Sequence, residues 1–576
     1  MKGLEKFIYT ILGSKTKKRM VLILTALAFV LSLMMFPTKL VLAKMLPGKS
    51  DNTFSVYIDT PTGSSIEQTN KVSQCVIDIL KDEKEIKNME LFLGQGIPLD
   101  YAGLVKGSAM KQTENVAELS VNLTDKHTRN EPSFLMVQRL RPLVKKKCEP
   151  LVKGTNVMFV EQPAGPPTLA SIVMEIHGDD LNEMRNISMR VAHIFEKTKG
   201  LVDVDVMADD IFDKYELIPD KEKIALSGLS VEQVNNILYL AFEGMVVAHK
   251  NSKNAPDQIP IFLVLEKNSK TLNNRSEQAL QSKISSLNLM NIKGMMVPLS
   301  EVVSIRKVKS NPSIMHKDLE RIINVTAETD MVSQVYPLLA ARDVMLEEFS
   351  KDYNIEKAGF TTYMFDLYLT NKKTGKKFLL RWDGEMKVTL DTFRDLGGAF
   401  IAALVLIFLL LVIYYKSFAL SGIILLGSFL SLIGVIVGHW VANLFTSETF
   451  FLTATSLIGF IALMGISSRN SLLLIDFAKS LMECHGMEKR EAIAVATATR
   501  AKPIALTAVA IILGSALLAS DPVFGGLGVA LISGTVAAVF VSLIFVPVLM
   551  HNAKAMDFDK HPHCDIEQKN NISITQ

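Results

Sequence analysis

Long apolar stretches and one long mixed stretch alternate along the chain, and their order predicts its architecture. Residues 20–43 are apolar, residues 44–396 have ordinary mixed composition, and further apolar stretches then follow closely. These later stretches number five and cover residues 397–415, 418–444, 451–475, 503–519 and 522–550. Each stretch approaches the ~20 residues with which a helix crosses a bilayer. The pattern therefore predicts six transmembrane helices, with a large domain between the first and the second.

The positions of Lys and Arg near these stretches predict the orientation. Residues 15–19 contain four basic side chains just before the first stretch, and residues 479–502 carry five between the fourth and the fifth. The short connections at residues 446–450 and 520–521 contain no Lys or Arg. We therefore expect both termini in the cytoplasm and the large domain outside. The apolar positions within residues 3–12 fall on one helical face, which predicts a helix lying along the membrane surface.

The large domain shows repeated strand–helix–strand patterns. A strand at residues 54–59, a helix from residue 64, and a strand at 86–92 form one unit, and a strand at 116–122, a helix at 134–148 and a strand at 157–161 repeat it. A second pair of units is interrupted in the middle: its first half is a strand at 171–177, a helix at 181–198 and a strand at 202–208, and its second half starts with a strand at 322–327. The fold predicted is therefore α+β, with tandem ferredoxin-like βαββαβ subdomains beside the transmembrane helices. The second subdomain is expected to end with a helix at residues 332–351 and a strand at 356–365.

The domain boundaries follow from these patterns. An insertion as long as the one inside the second subdomain is typical of a docking or binding element. The predicted division is residues 1–19 as a surface helix, 20–44 as a transmembrane helix, 45–165 as the first subdomain, 166–213 with 312–390 as the second, 214–311 as the inserted docking subdomain, 396–550 as five transmembrane helices, and 551–576 as a cytoplasmic tail.

Two motifs resemble those of a known transporter family. GISSRNSLLLIDFAK at residues 465–479 is similar to the tenth-helix motif of the hydrophobe/amphiphile efflux branch of the resistance–nodulation–division (RND) permeases. RAKPIALT at residues 500–507 resembles the eleventh-helix motif, and residues 214–238 resemble the start of the docking insertion. The resemblance covers nearly the whole chain, and what it covers is the C-terminal half of a twelve-helix permease.

The resemblance implies a proton relay at Arg469, with Arg500 and Thr507 as supporting positions. In this family a basic residue at the place of Arg469 pairs with carboxylates of the fourth helix, where proton binding drives transport. Asp476 lies seven residues further on the same helix and is a further relay candidate. Taken alone, the residues leave another interpretation open, in which Arg469 reaches the surface or forms a structural pair with Asp476.

The carboxylates that such a relay needs are missing from the other five apolar stretches. We therefore expect a separately encoded N-terminal half as partner, or else an inactive truncated product. The family resemblance also implies a periplasmic adaptor protein, an outer-membrane channel and a trimeric assembly in the bacterial inner membrane, surrounded by membrane lipid. The expected activity is proton-driven export of amphiphilic or toxic compounds, as in multidrug resistance.

Substrate contacts are expected where the family places its drug pocket. Phe92, Tyr101 and Phe159 are the candidates there. Two of them, Phe92 and Phe159, are equally what the core of any α/β sandwich would contain.

The remaining features exclude some functions. A net charge of +3 with no basic stripe argues against nucleic-acid binding, and the chain contains no phosphate-binding loop, so we expect neither enzymatic activity nor a cofactor. The 27 Met residues suggest metal export only weakly, because most lie in spans or on helix faces. His561, His563 and Cys564 resemble a soft-metal cluster, but a disordered tail is the favoured interpretation, so no metal site is assigned.

Two questions stay open from the sequence alone. Four cysteines give no disulfide framework, and two buried thiols at Cys75 and Cys148 are favoured over a bridge. A protein-export accessory of the SecD/SecF kind has the same arrangement of one plus five helices and is the alternative function. The motif around Arg469 does not fit that class.

Overall fold

The structure is a computed structural model that describes residues 2–558, except 47, 49, 99–100, 162–164, 166–167, 267–276, 331–332, 358–364 and 447–448. For residues 101, 102 and 109 it describes only the backbone. Ala208–Ser313 form one compact unit, and the remainder of the chain forms another.

Two helices open the described chain, α1 (Lys2–Leu12) and α2 (Lys15–Met34). The first predicted span reached residue 43, but α2 ends at Met34 and residues 35–41 form turns and bends. Pro37 accounts for this end, because proline disfavours helix at the residue before it and lacks the N–H that a continuing helix needs. The apolar part of α2 rises only about 22 Å, and the six-span count therefore stays a prediction.

The first sheet follows, with strands β1 (Thr53–Asp59), β2 (Ile86–Leu93), β3 (Val116–Leu123) and β4 (Asn156–Glu161) in the antiparallel order β2-β3-β1-β4. Helix α3 (Ile66–Leu80) follows β1, the short α4 (Tyr101–Lys106) lies between β2 and β3, and α5 (Ser133–Cys148) precedes β4. Side chains of α3 and α5 share one core with the sheet, in which Phe54, Val76 and Leu140 are buried.

Cys75 of α3 and Cys148 of α5 form a disulfide, with their Cα atoms 5.7 Å apart. The expectation of two separate thiols was therefore wrong. The bridge can form because both helices pack against the same core, which brings the Cα atoms of the two cysteines within the range that a disulfide spans.

The chain then begins a second sheet with β5 (Ile172–His177), α6 (Leu181–Lys197) and β6 (Leu201–Met207). All six residues of β5 are buried, as expected of a central strand. The predicted bounds of these three elements agree with the structure within one residue.

The unit Ala208–Ser313 begins and ends with paired strands, β7 (Asp213–Pro219) and a later strand, Val303–Lys309. Between them lie α7 (Lys221–Leu226), α8 (Val231–Phe242), β8 (Met245–Lys250), β9 (Ile259–Leu263), α9 (Glu277–Ser286), β10 (Asn288–Met290), β11 (Met296–Pro298) and α10 (Leu299–Val302), and Val303–Lys309 is β12. A core that includes Ile224, Val234 and Ile284 joins these helices. Because β7 pairs with β12, both ends of the unit lie side by side, which is what allows it to interrupt another fold.

After this unit the chain completes the second sheet with β13 (Met315–Lys317), β14 (Glu320–Thr329), α11 (Val335–Phe349), β15 (Tyr353–Lys357), β16 (Leu367–Asn371) and β17 (Lys377–Asp383). The order is β13-β14-β5-β17-β16-β15, and β6 also pairs with β14. The predicted strand at 356–365 overlaps β15 only at its start, and residues 358–364 lie outside the described part. β17 occupies the place beside β5, and the sequence analysis missed the β16–β17 hairpin.

A helix bundle follows directly from β17. It consists of α12 (Glu385–Tyr415), α13 (Phe418–Phe429), α14 (Leu432–Phe445), α15 (Ala454–His485), α16 (Lys489–Ala519), α17 (Gly525–Phe540) and α18 (Val546–Asn552). In the described part of the chain five helical segments are long and apolar enough to cross a membrane, with α13–α14 and α17–α18 each counting as one. We call residues 53–207 with 314–383 the α/β region and residues 385–552 the helix bundle.

Candidate functional site

Arg469 lies near the middle of α15, the longest helix of the described chain. This helix has 32 residues, and Arg469 is the sixteenth, about 22 Å from either end. The side chain is exposed, and it belongs to a row of exposed positions spaced by three or four residues, which places them on one face. This row, the open face of α15, consists of Ile458, Ala462, Gly465, Arg469 and Leu473. A Cβ atom added at Gly465 would meet nothing within 4 Å, so the surface beside Arg469 is uncovered.

The opposite face of α15 is closely packed. Leu463, Ser467 and Leu474 are fully buried, and added Cβ atoms at Gly526 and Gly534 of α17 would overlap side chains of α15. The helix therefore has one face committed to the bundle and one face that the bundle leaves open.

Asp476 does not pair with Arg469. Its carboxylate accepts hydrogen bonds from the hydroxyls of Tyr415 at 2.7 Å and Tyr414 at 3.3 Å, both at the end of α12. Arg469 forms no ion pair with any residue that the structure describes. The alternative interpretation of Arg469 and Asp476 as a structural pair is therefore wrong, because the tyrosines occupy the carboxylate.

The other two relay candidates lie on α16. The guanidinium of Arg500 stacks over the ring of Phe477 at 4.8 Å, and its Nε has no hydrogen-bond partner among the described residues. The hydroxyl of Thr507 donates to the carbonyl of Ile504, on its own helix, at 2.9 Å. The structure thus brings Arg500 close to the Asp476 segment, but it does not gather the four candidates into one cluster.

The sequence analysis missed a buried histidine in the bundle. His439 of α14 is fully buried, and its Nδ1 lies 2.7 Å from the Val435 carbonyl while its Nε2 lies 2.8 Å from Ser456 Oγ. The Thr453 N–H in turn donates to Ser456 Oγ at 3.0 Å. A lone histidine within an apolar stretch was the available signal. Both ring nitrogens are satisfied, so this group joins α14 to the start of α15.

The substrate candidates fall on different sides of the first sheet. Phe159 is buried in the core between sheet and helices, as the core interpretation predicted. Phe92 is half-buried on β2, where its neighbours Leu91 and Leu93 face the core, so Phe92 faces the opposite side of the sheet, away from α3 and α5. The Tyr101 side chain lies outside the described part of the structure.

The side of the sheet away from α3 and α5 also carries charged and hydroxyl groups. Lys111 pairs with Asp59 at 3.3 Å, and the Ser108 hydroxyl donates to the Tyr57 hydroxyl at 3.0 Å. Lys106 of α4 reaches Glu328 of β14 at 3.0 Å, and so connects α4 to the second sheet. Aromatic and charged side chains therefore share this surface.

Metal-ligand groups of three or more His, Cys, Asp or Glu do not occur in the described ranges. His561, His563 and Cys564 lie outside them.

Comparison with known proteins decides the family. A model of the AcrB/AcrD/AcrF family matches residues 4–553. The chain belongs to this family.

The relatives of this AcrB/AcrD/AcrF family member include two curated bacterial proteins. The swarming motility protein SwrC of Bacillus subtilis (strain 168) is 24% identical over 536 residues, which are 91% of this chain and 45% of SwrC. The multidrug export protein AcrF of Escherichia coli (strain K12) is 24% identical over 551 residues, 93% of this chain and 48% of AcrF. The chain spans about half the length of these relatives.

Solved structures support the same fold. The crystal structure of a heavy metal efflux pump in crystal form II superposes with a TM-score of 0.70 at 18% identity, over 96% of this chain and 51% of the pump. Crystal form I gives 0.68 at 17% identity, over 95% and 51%. The helix bundle and α/β region thus have the fold of about half of this pump.

Within this family member, buried ion pairs join the two sheets of the α/β region. Asp203 of β6 is buried and accepts from Arg141 Nε at 2.9 Å and from the Phe159 N–H at 3.2 Å, while Lys145 Nζ lies 2.8 Å away. Its φ of 51° is in the left-handed region, which costs an aspartate free energy. The Asp203 side chain thus connects β6 of the second sheet to β4 of the first sheet and to α5.

A second buried group of charges lies in the second sheet. Glu175 accepts from Lys317 and from His177 Nε2, and Lys317 also donates to Asp383. Burial alone would raise the pKa of Glu175, but the hydrogen bonds from these partners outweigh it and hold the pKa below its usual value. Asp366 is less well compensated, and burial raises its pKa to about 6, although the Trp382 N–H donates to it at 3.1 Å.

Proposed function

We propose that this chain is the C-terminal half of a proton-driven RND efflux permease in a bacterial inner membrane, which exports small amphiphilic or toxic compounds. The family match supports the transporter class, and the coverage of about half of each relative supports the half-permease interpretation. The single observation that carries the mechanism is the unpaired Arg469 on the open face of α15.

A cation in the middle of a membrane-spanning helix must be shielded from lipid by other protein groups or by water. A charged side chain in the middle of a membrane helix costs about 2.5–3.5 kcal/mol on insertion scales, so such residues face other protein or water and have counter-charges. The carboxylate nearest to Arg469 along α15, Asp476, is held by Tyr414 and Tyr415. The counter-charge is therefore supplied by a separately encoded N-terminal half, whose helix covers the open face.

Arg469 then acts as a fixed positive charge. Arginine does not lose its proton at accessible pH, so the proton binds the partner's carboxylates. Protonation of those carboxylates would remove their attraction to Arg469 and shift the helices that carry them. Arg500 and Thr507 would support this change from α16.

The α/β region supplies the substrate route. The side of the first sheet away from α3 and α5 carries Phe92 and Tyr57 together with the Lys111–Asp59 pair, which suits molecules with an apolar body and a charged group. This surface supports amphiphilic substrates as the exported class, with Tyr101 as a further contact.

The unit Ala208–Ser313 supplies a docking surface. Its β8–β9 hairpin exposes apolar side chains, including Val247, Ile261 and Phe262, although an isolated two-stranded hairpin is only marginally stable in water. We assign this hairpin to contacts with a periplasmic adaptor, an outer-membrane channel or a neighbouring permease in a trimer. Photo-crosslinkers at Asn251 and Asn254, near its tip, would identify the contact.

Replacing Arg469 tests the proposed mechanism. In the native host, Arg469→Ala should abolish export while leaving the amount of membrane protein unchanged, and Arg469→Lys should retain part of the export because it keeps the charge. Lys502→Ala, which removes an exposed cation from α16, is the matched control and should export normally. Export is followed by accumulation of a fluorescent amphiphilic dye, and protein amount by immunoblot.

Normal export by Arg469→Ala would remove Arg469 from the mechanism. Absence of export by the wild-type chain, in a host that produces it with all neighbouring genes, would identify an inactive truncated permease instead.

A further inference from the structure

The start of α2 places cations in line with an exposed apolar row. Ile23, Leu27, Val30 and Met34 are each at least half exposed and follow each other at helical spacing on one face. Two further steps of four residues toward the start of the helix lead to Arg19 and Lys15, which are also exposed. One face of α2 is therefore apolar along its length and positive at its beginning.

The preceding helix presents a second positive surface. α1 buries Ile8, Ile11 and Leu12 in the core of the helix bundle. Its other side exposes Lys2 and Lys6, one turn apart, with Phe7 beside them. An exposed aromatic ring between lysines is typical of helices that lie at the headgroup level of a bilayer.

A specific contact fixes α1 in this orientation. Arg490 of α16 donates to the Tyr9 carbonyl from Nε at 3.0 Å and from Nη2 at 2.7 Å, and its guanidinium lies 3.7 Å from the centre of the Tyr9 ring. An added Cβ at Gly13 would collide with this guanidinium, so a larger residue there would require the Arg490 side chain to move. The lysines of α1 are thus held beside the start of α2.

These cations lack counter-charges, unlike others at the same end of the bundle. Lys489 pairs with Asp557 at 2.8 Å, whereas Lys2, Lys6, Lys15 and Arg19 form no ion pair within the described part of the chain. Glu5 is the only acidic residue between positions 2 and 19.

We infer that Lys2, Lys6, Lys15 and Arg19 form a binding surface for the headgroups of anionic phospholipids in the cytoplasmic leaflet. The charge complementarity and the continuity with the apolar face of α2 select a lipid over a soluble anion, because acyl chains can lie along Ile23 and Leu27. The inference rests on the proposed membrane placement of α2. Basic clusters next to a transmembrane helix attract anionic lipid in this way.

Lipid titration of the purified full-length chain tests this surface. In detergent, binding of dioleoylphosphatidylglycerol and dioleoylphosphatidylcholine is measured by native mass spectrometry. The wild type should prefer the anionic lipid by about tenfold, and the preference should weaken with salt. Lys2→Gln, Lys6→Gln, Lys15→Gln and Arg19→Gln together should abolish it.

Two variants control this measurement. Changing the four exposed lysines Lys197, Lys199, Lys250 and Lys253 to Gln alters the net charge equally and should leave the preference intact. Replacing Lys2, Lys6 and Lys15 with Arg keeps the charge and should also keep the preference. Equal binding of both lipids by the wild type, or an unchanged preference in the four-fold Gln variant, would overturn the inference.

Reporter fusions separate this inference from the proposed function. Fusions at Asp125 and Glu483 should report opposite sides of the membrane. If both report one side, the placement that underlies the permease proposal fails, whereas loss of the lipid preference with correct placement affects only the lipid surface.

Discussion

Charged side chains of the α/β region and of the helix bundle differ in the partners they have within the chain. In the α/β region the buried Asp203 has Arg141 and Lys145 as partners, all within the chain. In the helix bundle the buried His439 is satisfied as well, yet Arg469, near the middle of α15, faces outward without an ion-pair partner among the described residues. The buried Asp203 thus finds its counter-charges within the α/β region, whereas the described part of the bundle supplies none for Arg469.

This difference implies different roles for the charges: those of the α/β region affect the stability of the fold, and Arg469 has the role in transport proposed above. Removing one partner of a buried charge pair destabilises the fold, because it leaves the other charge uncompensated. An exposed charge without partners contributes little to folding, so its placement at mid-helix needs a functional reason. Replacing a buried charge of the α/β region should therefore lower the free energy of unfolding, whereas replacing Arg469 should change it little.

The largest effect on stability is expected at Asp203. Asp203→Ala leaves the largely buried Arg141 with only the more distant carboxylate of Asp330, at 3.5 Å, and should lower the free energy of unfolding of the α/β region by about 3–5 kcal/mol. Urea unfolding is followed by the fluorescence of Trp382, in a Trp440→Phe background.

Asp205, two residues further on β6, is the matched control. Burial raises its pKa, so its charge is not stabilising, and Asp205→Ala should cost little. Equal costs at Asp203 and Asp205 would contradict the role assigned to the ion pairs.

A smaller, pH-dependent effect is expected at Asp366. Because its folded-state pKa of about 6 lies above the unfolded value, the folded state binds the proton more tightly, and stability falls as the pH rises from about 4 to about 6. Asp366→Asn should raise the free energy of unfolding by about 1–2 kcal/mol at pH 7.5 and change it little at pH 4. The same fluorescence assay at both pH values measures this, and an equal change at both would exclude the titration of Asp366 as the cause.

The smallest effect is expected at Arg469. Arg469→Leu should change the stability of the bundle by no more than about 0.5 kcal/mol, as for other exposed positions. His439→Leu is the contrasting variant, because it leaves the Ser456 hydroxyl buried with one partner fewer and should cost about 1–3 kcal/mol. Thermal unfolding followed by Trp440 fluorescence compares them, and a cost at Arg469 as large as at His439 would show that its charge stabilises the bundle itself.

Local sequence patterns predicted much of the fold. The alternation in β3 and the apolar face of α5 gave bounds within one residue of the structure, because each pattern reflects one buried side of a single element. The place of β17 beside β5 was missed because this pairing joins residues about 200 positions apart in sequence. The β16–β17 hairpin is local, and it was missed although burial alternates along β17. The end of α2 at Met34 was missed although Pro37 signalled it.

The candidate site was predictable only in part. The motif around Arg469 located the residue, but its outward direction depends on the rotation of α15 against α13 and α17, which no local pattern contains. The tyrosines that hold Asp476 come from a helix about 60 residues earlier, so the failure of the Arg469–Asp476 pair could be seen only in three dimensions.

A photo-crosslinking residue at Gly465 tests the central claim most directly. Position 465 lies on the open face, four residues before Arg469, and accepts a side chain without collision. In intact cells we predict that it captures a second membrane polypeptide, identified by mass spectrometry, whose crosslinked helix contains an Asp or Glu. The same residue at Leu31, an exposed apolar position of α2, should capture no protein. Capture of lipid alone at position 465, in cells where export is active, would contradict the account.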